Sequence, residues 1–305
     1  MYDIITLGSA NVDIFVKTKT KPEVKKHDDH MDIAYHLGDK LLVDELQITT
    51  GGGGTNTAVA FSRLGLKTGC ICAVGNDVNG KHILEELEME KITFLGEVKD
   101  GNTGLSIILP SAKDRTILAY KGVNNFLKIN DLNLQKINTK WIYVSSMLGQ
   151  SFETAKKVIQ LAKKKGTKIA MNFSLYSAKQ GLPALSHIIG SADIIILNKE
   201  EAQALTNEDK ISNIFNKIHE HSDAIVAITS GSGDIIASDG LSIYVKKIHP
   251  VNPVDKTGSG DAFAAGFVYG IIKNKDIQTS IDCGHKEALS VIGHIGAKNN
   301  LLRKM

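Results

Sequence analysis

Apolar residues fall along the chain in short runs separated by longer amphipathic stretches. Asp3-Ile4-Ile5-Thr6-Leu7-Gly8, Trp141–Val144, Lys168–Met171, Asp193–Leu197 and Ile225–Thr229 are too short for helices and rich in β-branched residues, so each predicts a buried strand. Between them lie helical stretches such as Phe152–Lys165, Glu200–Leu205 and, near the end, Ile281–Ile295. Strand–helix alternation at this interval predicts an α/β fold built on a doubly wound, mostly parallel sheet flanked by helices. Ile235–Ala237 adds a hairpin after Ser230-Gly231-Ser232-Gly233. Residues 103–109 and 115–120 read as two more strands joined by the turn Pro110–Asp114, and Leu41–Ile48 alternates as another. Lys17–Lys26 is lysine-rich and predicts an exposed connection. With no repeat, low-complexity tract or linker in view, residues 1–305 are expected to form a single domain.

Composition narrows the setting. At 305 residues, 42% hydrophobic and 23% charged, the chain can bury a full core. A net charge of +3 is too small to argue for nucleic acid or an acidic membrane surface as partner. No basic, apolar leader and no bilayer-length apolar run are visible, so a cytoplasmic protein is expected. Cys70 and Cys72 fall on a strand predicted over Thr68–Val74, where they are expected to point to opposite faces as small buried apolar residues rather than metal ligands.

The chemistry-bearing stretches are rich in glycine. Asp255-Lys256-Thr257-Gly258-Ser259-Gly260-Asp261-Ala262-Phe263 is a tight turn feeding a small, apolar helix, and such a helix start gathers N–H groups and positive dipole into an anion site. Asp261 is then either a first-turn residue of ordinary kind or a general base beside that anion site. Gly51-Gly52-Gly53-Gly54-Thr55-Asn56 precedes a second alanine-rich helix, and Gly8-Ser9-Ala10-Asn11-Val12-Asp13 places two polar residues at or just past the end of the first strand. Open α/β sheets bind ligands outside that end. Asn198 and Glu201 are spaced as a capping box. Gly75–His82 nearly spells a P-loop, but His82 lacks the hydroxyl that would bind Mg²⁺.

The stretch from Asp255 to Phe263 resembles the D-T-x-G-A/S-G-D-x-F signature of the ribokinase-like (PfkB) family of small-molecule kinases, with Lys256 where threonine is usual and Ser259 where alanine is usual. Gly8–Asp13, Gly51–Asn56, Gly75–Gly80, Asn198–Glu201 and Thr229–Gly231 resemble the family's other motifs and occur in its order. The resemblance implies a ribokinase-like fold with a small β-sheet lid, formed here from parts of 14–48 and 95–121, with an insertion between Asp13 and Gly51. It implies phosphoryl transfer from ATP to a hydroxyl of a small sugar, with Asp261 as base and the Gly258, Ser259 and Gly260 amides as the anion hole. Asn11, Asp13, Gly52, Gly53 and Asn56 would bind the acceptor; Asn198, Glu201, Thr229, Gly231 and Gly233 would bind the nucleotide. Glu201 would hold Mg²⁺ through its waters, and Asp255 and Thr257 match positions where some relatives hold a monovalent cation such as K⁺. A nucleoside kinase, with Phe15 and Tyr120 as candidate base-stacking residues, is the nearest alternative, and a non-catalytic sugar- or nucleotide-binding regulator a further one. Ser146, Leu148, Gly149 and Gln150 stand where ribokinases proper place a sugar-binding glutamate, which argues against ribose itself. Pairing through a lid edge would make a homodimer.

Overall fold

The uninterrupted apolar runs become strands covered on both faces, which is why they lack an alternating pattern. The structure, a computed structural model, describes residues 1–20, 22–28, 30–111, 115–249 and 251–305. Its main sheet has nine strands in the order Ile243–Lys246, Ile235–Ser238, Ile225–Thr229, Ile194–Asn198, Lys168–Asn172, Thr139–Val144, Tyr2–Leu7, Thr68–Ile71, Thr93–Phe94. All neighbours are parallel except the hairpin strands at the first edge. The sheet divides the core in two. Ile5, Leu7, Ile195 and Leu197 pack with helices Gly149–Lys164, Gly181–Ile189, Lys199–Thr206 and Ile211–His219. Ile4, Ile194 and Ile196 pack with Gly53–Arg63, Ser259–Ile272 and Ile277–Ile292.

From Tyr2–Leu7 the chain first builds outward to Thr68–Ile71, then returns to Thr139–Val144 on the other side. That reversal opens a crevice beyond Leu7 and Val144, the place where such sheets bind ligands. A second sheet, ordered Arg115–Tyr120, Gly104–Pro110, Asn11–Thr18, Val43–Gly51, forms the expected lid. It starts earlier and ends later than expected, so Asn11 and Asp13 belong to the lid's own strand rather than to a turn after the first strand. The reason is local: Gly8 to Ala10 carry the chain straight from one sheet into the other, held by Asn124, whose side chain bonds both the N–H and the C=O of Ala10 at 2.9 and 2.7 Å.

Two further expectations change, and one lies partly outside the described residues. Lys17 lies in a lid strand, and Glu23–Lys26 is not an irregular connection but one arm of an exposed hairpin with Met31–Ala34. The turn predicted at Pro110–Asp114 falls partly on 112–114, outside the described residues. Cys70 and Cys72 do not face opposite ways: their sulfurs lie 3.8 Å apart, both buried. Residues two apart on an extended chain share a face, and here the strand also breaks, Ala73–Gly75 leaving to pair with Glu97–Lys99.

Helix Ile277–Ile292 carries a fully buried acid, Glu287, whose pKa burial raises to about 7, partly offset by the Leu302 amide and the Arg63 charge. A carboxyl raised on folding contributes stability at low pH that is lost as the pH climbs from about 4 through 7. Glu287→Gln should therefore gain in Tm relative to the parent chain by more at about pH 8 than at about pH 5. A parallel pair of melting curves across that range would refute the assignment.

Candidate active site

Helix Ser259–Ile272 is small and apolar because helix Ile277–Ile292 packs hard against it; a Cβ on Gly266 would sit 2.6 Å from the Cys283 carbonyl oxygen. Its start is fixed by three contacts. Gly258 has φ 77°, a left-handed conformation that glycine adopts without strain, and a Cβ there would strike that of Ala297 at 2.3 Å. Asp255 Oδ1 accepts from the Thr257 N–H and hydroxyl at 2.9 and 2.7 Å, and Oδ2 accepts from the Gly296 N–H at 3.1 Å. The turn thus presents the Gly258, Gly260 and Asp261 amides, which have no backbone partner among the described residues. Ser259 departs from expectation: its N–H and hydroxyl both point back to the Lys256 carbonyl, at 3.3 and 2.9 Å.

Helix Gly53–Arg63 brings a second N-terminus to the same place. Gly52, at φ 98°, caps it, and a Cβ there would meet the Ser9 carbonyl oxygen at 2.5 Å. Gly53 lies against Asp261, and Asn56 Nδ2 donates to Asp261 Oδ2 at 2.8 Å. The lid supplies the opposite wall. Asn11 Nδ2 donates to Asp13 Oδ1 at 2.6 Å and to Ser106 Oγ at 3.2 Å, and Asp13 is only 5% exposed. Gly51 packs so closely on the Asp13 carboxylate that no side chain fits there.

These acids feel one another. Burial raises the Asp13 pKa, against hydrogen bonds from Ser106 and Asn11 and the charge of Lys298. Burial also raises that of Asp261; the Asn56 bond and Lys298 oppose it and Asp13 adds to it. Lys298, 6% exposed, bonds Thr50 Oγ1 at 3.0 Å and pairs with Glu86 at 2.5 Å. Sequence reasoning missed Lys298, Glu86, Thr50, Ser106 and Asn124, since nothing in their local sequence marks them.

On the other side of Asp261, Asn198 and Glu201 form the expected capping box, with both bonds at 2.8 Å. Burial lifts the Glu201 carboxyl to about 7, the Asn198 amide opposes, and Asp261 and Glu200 add. A cavity of about 230 Å³ is lined by Thr229, Gly231, Ser259, Gly260 and Phe263, with His285, Leu289 and Ile292 of the last helix as its far wall. Gly233 is not among its lining residues; its N–H closes the hairpin turn on Ser230 at 3.0 Å. A larger cavity of about 860 Å³ lies under the lid, with Phe15, Gln47, Ile108, Arg115 and Asp255 on its walls. Lys256 lines both cavities. Tyr120 pairs with Leu105, which pairs with Val12, so the pleat turns it away from the face of Asp13 and Phe15. The near-P-loop is structural: Asp77 accepts from the Gly80 N–H at 2.7 Å and from the Thr103 hydroxyl at 2.6 Å.

Residues 4–304 match the model of the pfkB family carbohydrate kinases. An uncharacterized sugar kinase of Archaeoglobus fulgidus is 28% identical over 255 residues, 81% of this chain and 100% of its own. Two solved structures share the fold. Adenosine kinase from Sinorhizobium meliloti superposes with TM-score 0.82 at 20% identity, over 99% of this chain and 97% of the other. A protein from E. coli named as a ribokinase II, in complex with ATP and Mg²⁺, gives 0.83 at 15%, over 99% and 96%. No helix among the described residues is long and apolar enough to cross a membrane.

The coupling of the acids is testable without substrate. Carboxyl NMR of the ligand-free chain should find Glu201 titrating at about 7. Asp261→Asn removes a neighbouring negative charge and should move that titration down, toward the ordinary glutamate range. An unmoved Glu201 would refute the electrostatic coupling of the two acids.

Proposed function

The chain belongs to the pfkB family of carbohydrate kinases, and from that premise we propose that it transfers the γ-phosphoryl group of ATP to a hydroxyl of a small sugar, with Asp261 as general base. One observation carries this reading. The Asp261 carboxylate is held by Asn56 at 2.8 Å between the acceptor-side glycines and a helix start whose Ser259 and Gly260 line the smaller cavity. An acceptor hydroxyl seated on Asn11 and Asp13 gives its proton to Asp261 as its oxygen bonds to phosphorus, and ADP leaves. A base of raised pKa suits the step, because a stronger base pulls harder on the departing proton. The Gly258, Gly260 and Asp261 amides face the charge that develops on the transferring oxygens. Mg²⁺, when bound, neutralises phosphate charge; Asn198 and Glu201 suit it through water, because Mg²⁺ keeps several of its own. Asp255 spends both oxygens on Thr257 and Gly296, so we assign K⁺ no step here.

The Asn11–Asp13–Ser106 cluster favours vicinal hydroxyls of a sugar over an aromatic base. Phe15 does line the cavity under the lid, whereas Tyr120 lies on the other face. That outer face also exposes Leu46, Ile48 and Leu118, the surface a lid-to-lid homodimer would bury.

Turnover should be assayed over sugars, phosphosugars and nucleosides with ATP and Mg²⁺. Asp261→Asn is expected to lower kcat by roughly 10² or more on the preferred acceptor; unchanged turnover would overturn the base assignment. ATP binding without turnover on any acceptor would put the regulator reading in its place. Because Lys256 lines both cavities, Lys256→Thr should lower kcat, Lys256→Arg should restore part of it, and equal activity of all three forms would remove Lys256 from the mechanism.

A further inference from the structure

The insertion between Asp13 and Gly51 includes the hairpin of Glu23–Lys26 with Met31–Ala34, which no step above uses. Two-stranded hairpins are marginal in water unless packed or clipped. This one has no core: Glu23 to Lys26, Met31 and Asp32 are all exposed. Its register is definite. Lys26 pairs with Met31 and Lys25 with Asp32, and the ladder continues as the His27 N–H donates to the His30 carbonyl at 2.9 Å. Opposite residues, and residues two apart, share a face. His27, His30 and Asp32 therefore meet on one side of the hairpin end.

The distances suit a shared ligand. His27 Nε2 lies 3.1 Å from one Asp32 oxygen and His30 Nε2 3.6 Å from the other. The two imidazoles stack with centroids 4.6 Å apart, and the three donor atoms all fall within 4.8 Å of one another. A tetrahedral Zn²⁺ with bonds of about 2.0–2.1 Å holds neighbouring ligand atoms about 3.3 Å apart. Lys25, on the same face, leans toward Glu23 at 4.0 Å. Among the described residues no other three His, Cys, Asp or Glu side chains cluster in this way.

We propose that His27, His30 and Asp32 form a surface site for Zn²⁺, with water in the fourth position, which clips the end of the lid insertion. Two imidazoles and one carboxylate are a borderline donor set that favours zinc over Mg²⁺ or Ca²⁺. The site is separate from the phosphoryl-transfer chemistry and does not depend on it.

The test titrates the metal-free, full-length chain with Zn²⁺ against a chromophoric chelator, without nucleotide. One equivalent should compete, and its affinity should fall by more than about tenfold in His27→Ala and in His30→Ala, while kinase turnover stays at the parent level. Zn²⁺ should also slow tryptic cleavage after Lys25 and Lys26 in the parent chain and not in the variants. No competing site would overturn the proposal. So would a site that survives both substitutions, as one on the Cys70 and Cys72 thiols or the acids of the cleft would.

Discussion

Asp261 is a carboxylate on which four influences act at once. Burial and the negative charge of Asp13 push its proton affinity up; the Asn56 bond and the positive charge of Lys298 pull it down. Neither side removes the other. The outcome is a carboxyl that binds a proton more tightly than one in water. The helix start beside it would tend to lower its pKa, because free amides at a helix N-terminus attract any anion. Burial first, and then the charge of Asp13, offset this bias in a site that also holds Glu201 as a third acid of raised pKa.

Such crowding is tolerable only if nothing can relax it. Gly258 has Ala297 at its back, Gly51 has the Asp13 carboxylate, and Gly53 has the Ser145 hydroxyl. Each glycine marks a place where one more carbon would pry two elements apart. Asp255 ties the turn to Gly296, two residues before Lys298, so the counter-charge and the turn it serves are held by one short segment. The sheet explains why these pieces meet. The strand order reverses beside Tyr2–Leu7, leaving a gap that both glycine-capped helices can enter.

Legibility in the sequence followed the range of the interaction. Ile194–Leu197 or Ile4–Leu7 read plainly because burial on both faces leaves a continuous apolar run. Asn198 and Glu201 read plainly because a capping box is complete within four consecutive residues. Lys298 did not, because its partners Glu86 and Thr50 are more than two hundred residues away in sequence. Asn11 and Asp13 read as polar residues near a strand end, but their strand is paired to Gly104–Ile108 and Val43–Gly51, which local pattern cannot show. The hairpin at Glu23–Ala34 left no hydrophobic signature because it buries almost nothing. The cysteine pair was a different kind of miss, an error in the strand period rather than missing information.

The division of labour between the two sheets bears on what likeness of fold can mean. Asp261, Asn56 and the amides around Gly258 sit on helix starts anchored in the core, where any shift disturbs close packing. Asn11, Asp13, Ser106 and Phe15 sit on lid strands whose other face is buried at Val12 and Thr50 and exposed farther out at Leu46, Ile48 and Leu118. An adenosine kinase and a protein named as a ribokinase II superpose about equally well on this chain. The superposition reports the shared fold and does not identify the acceptor.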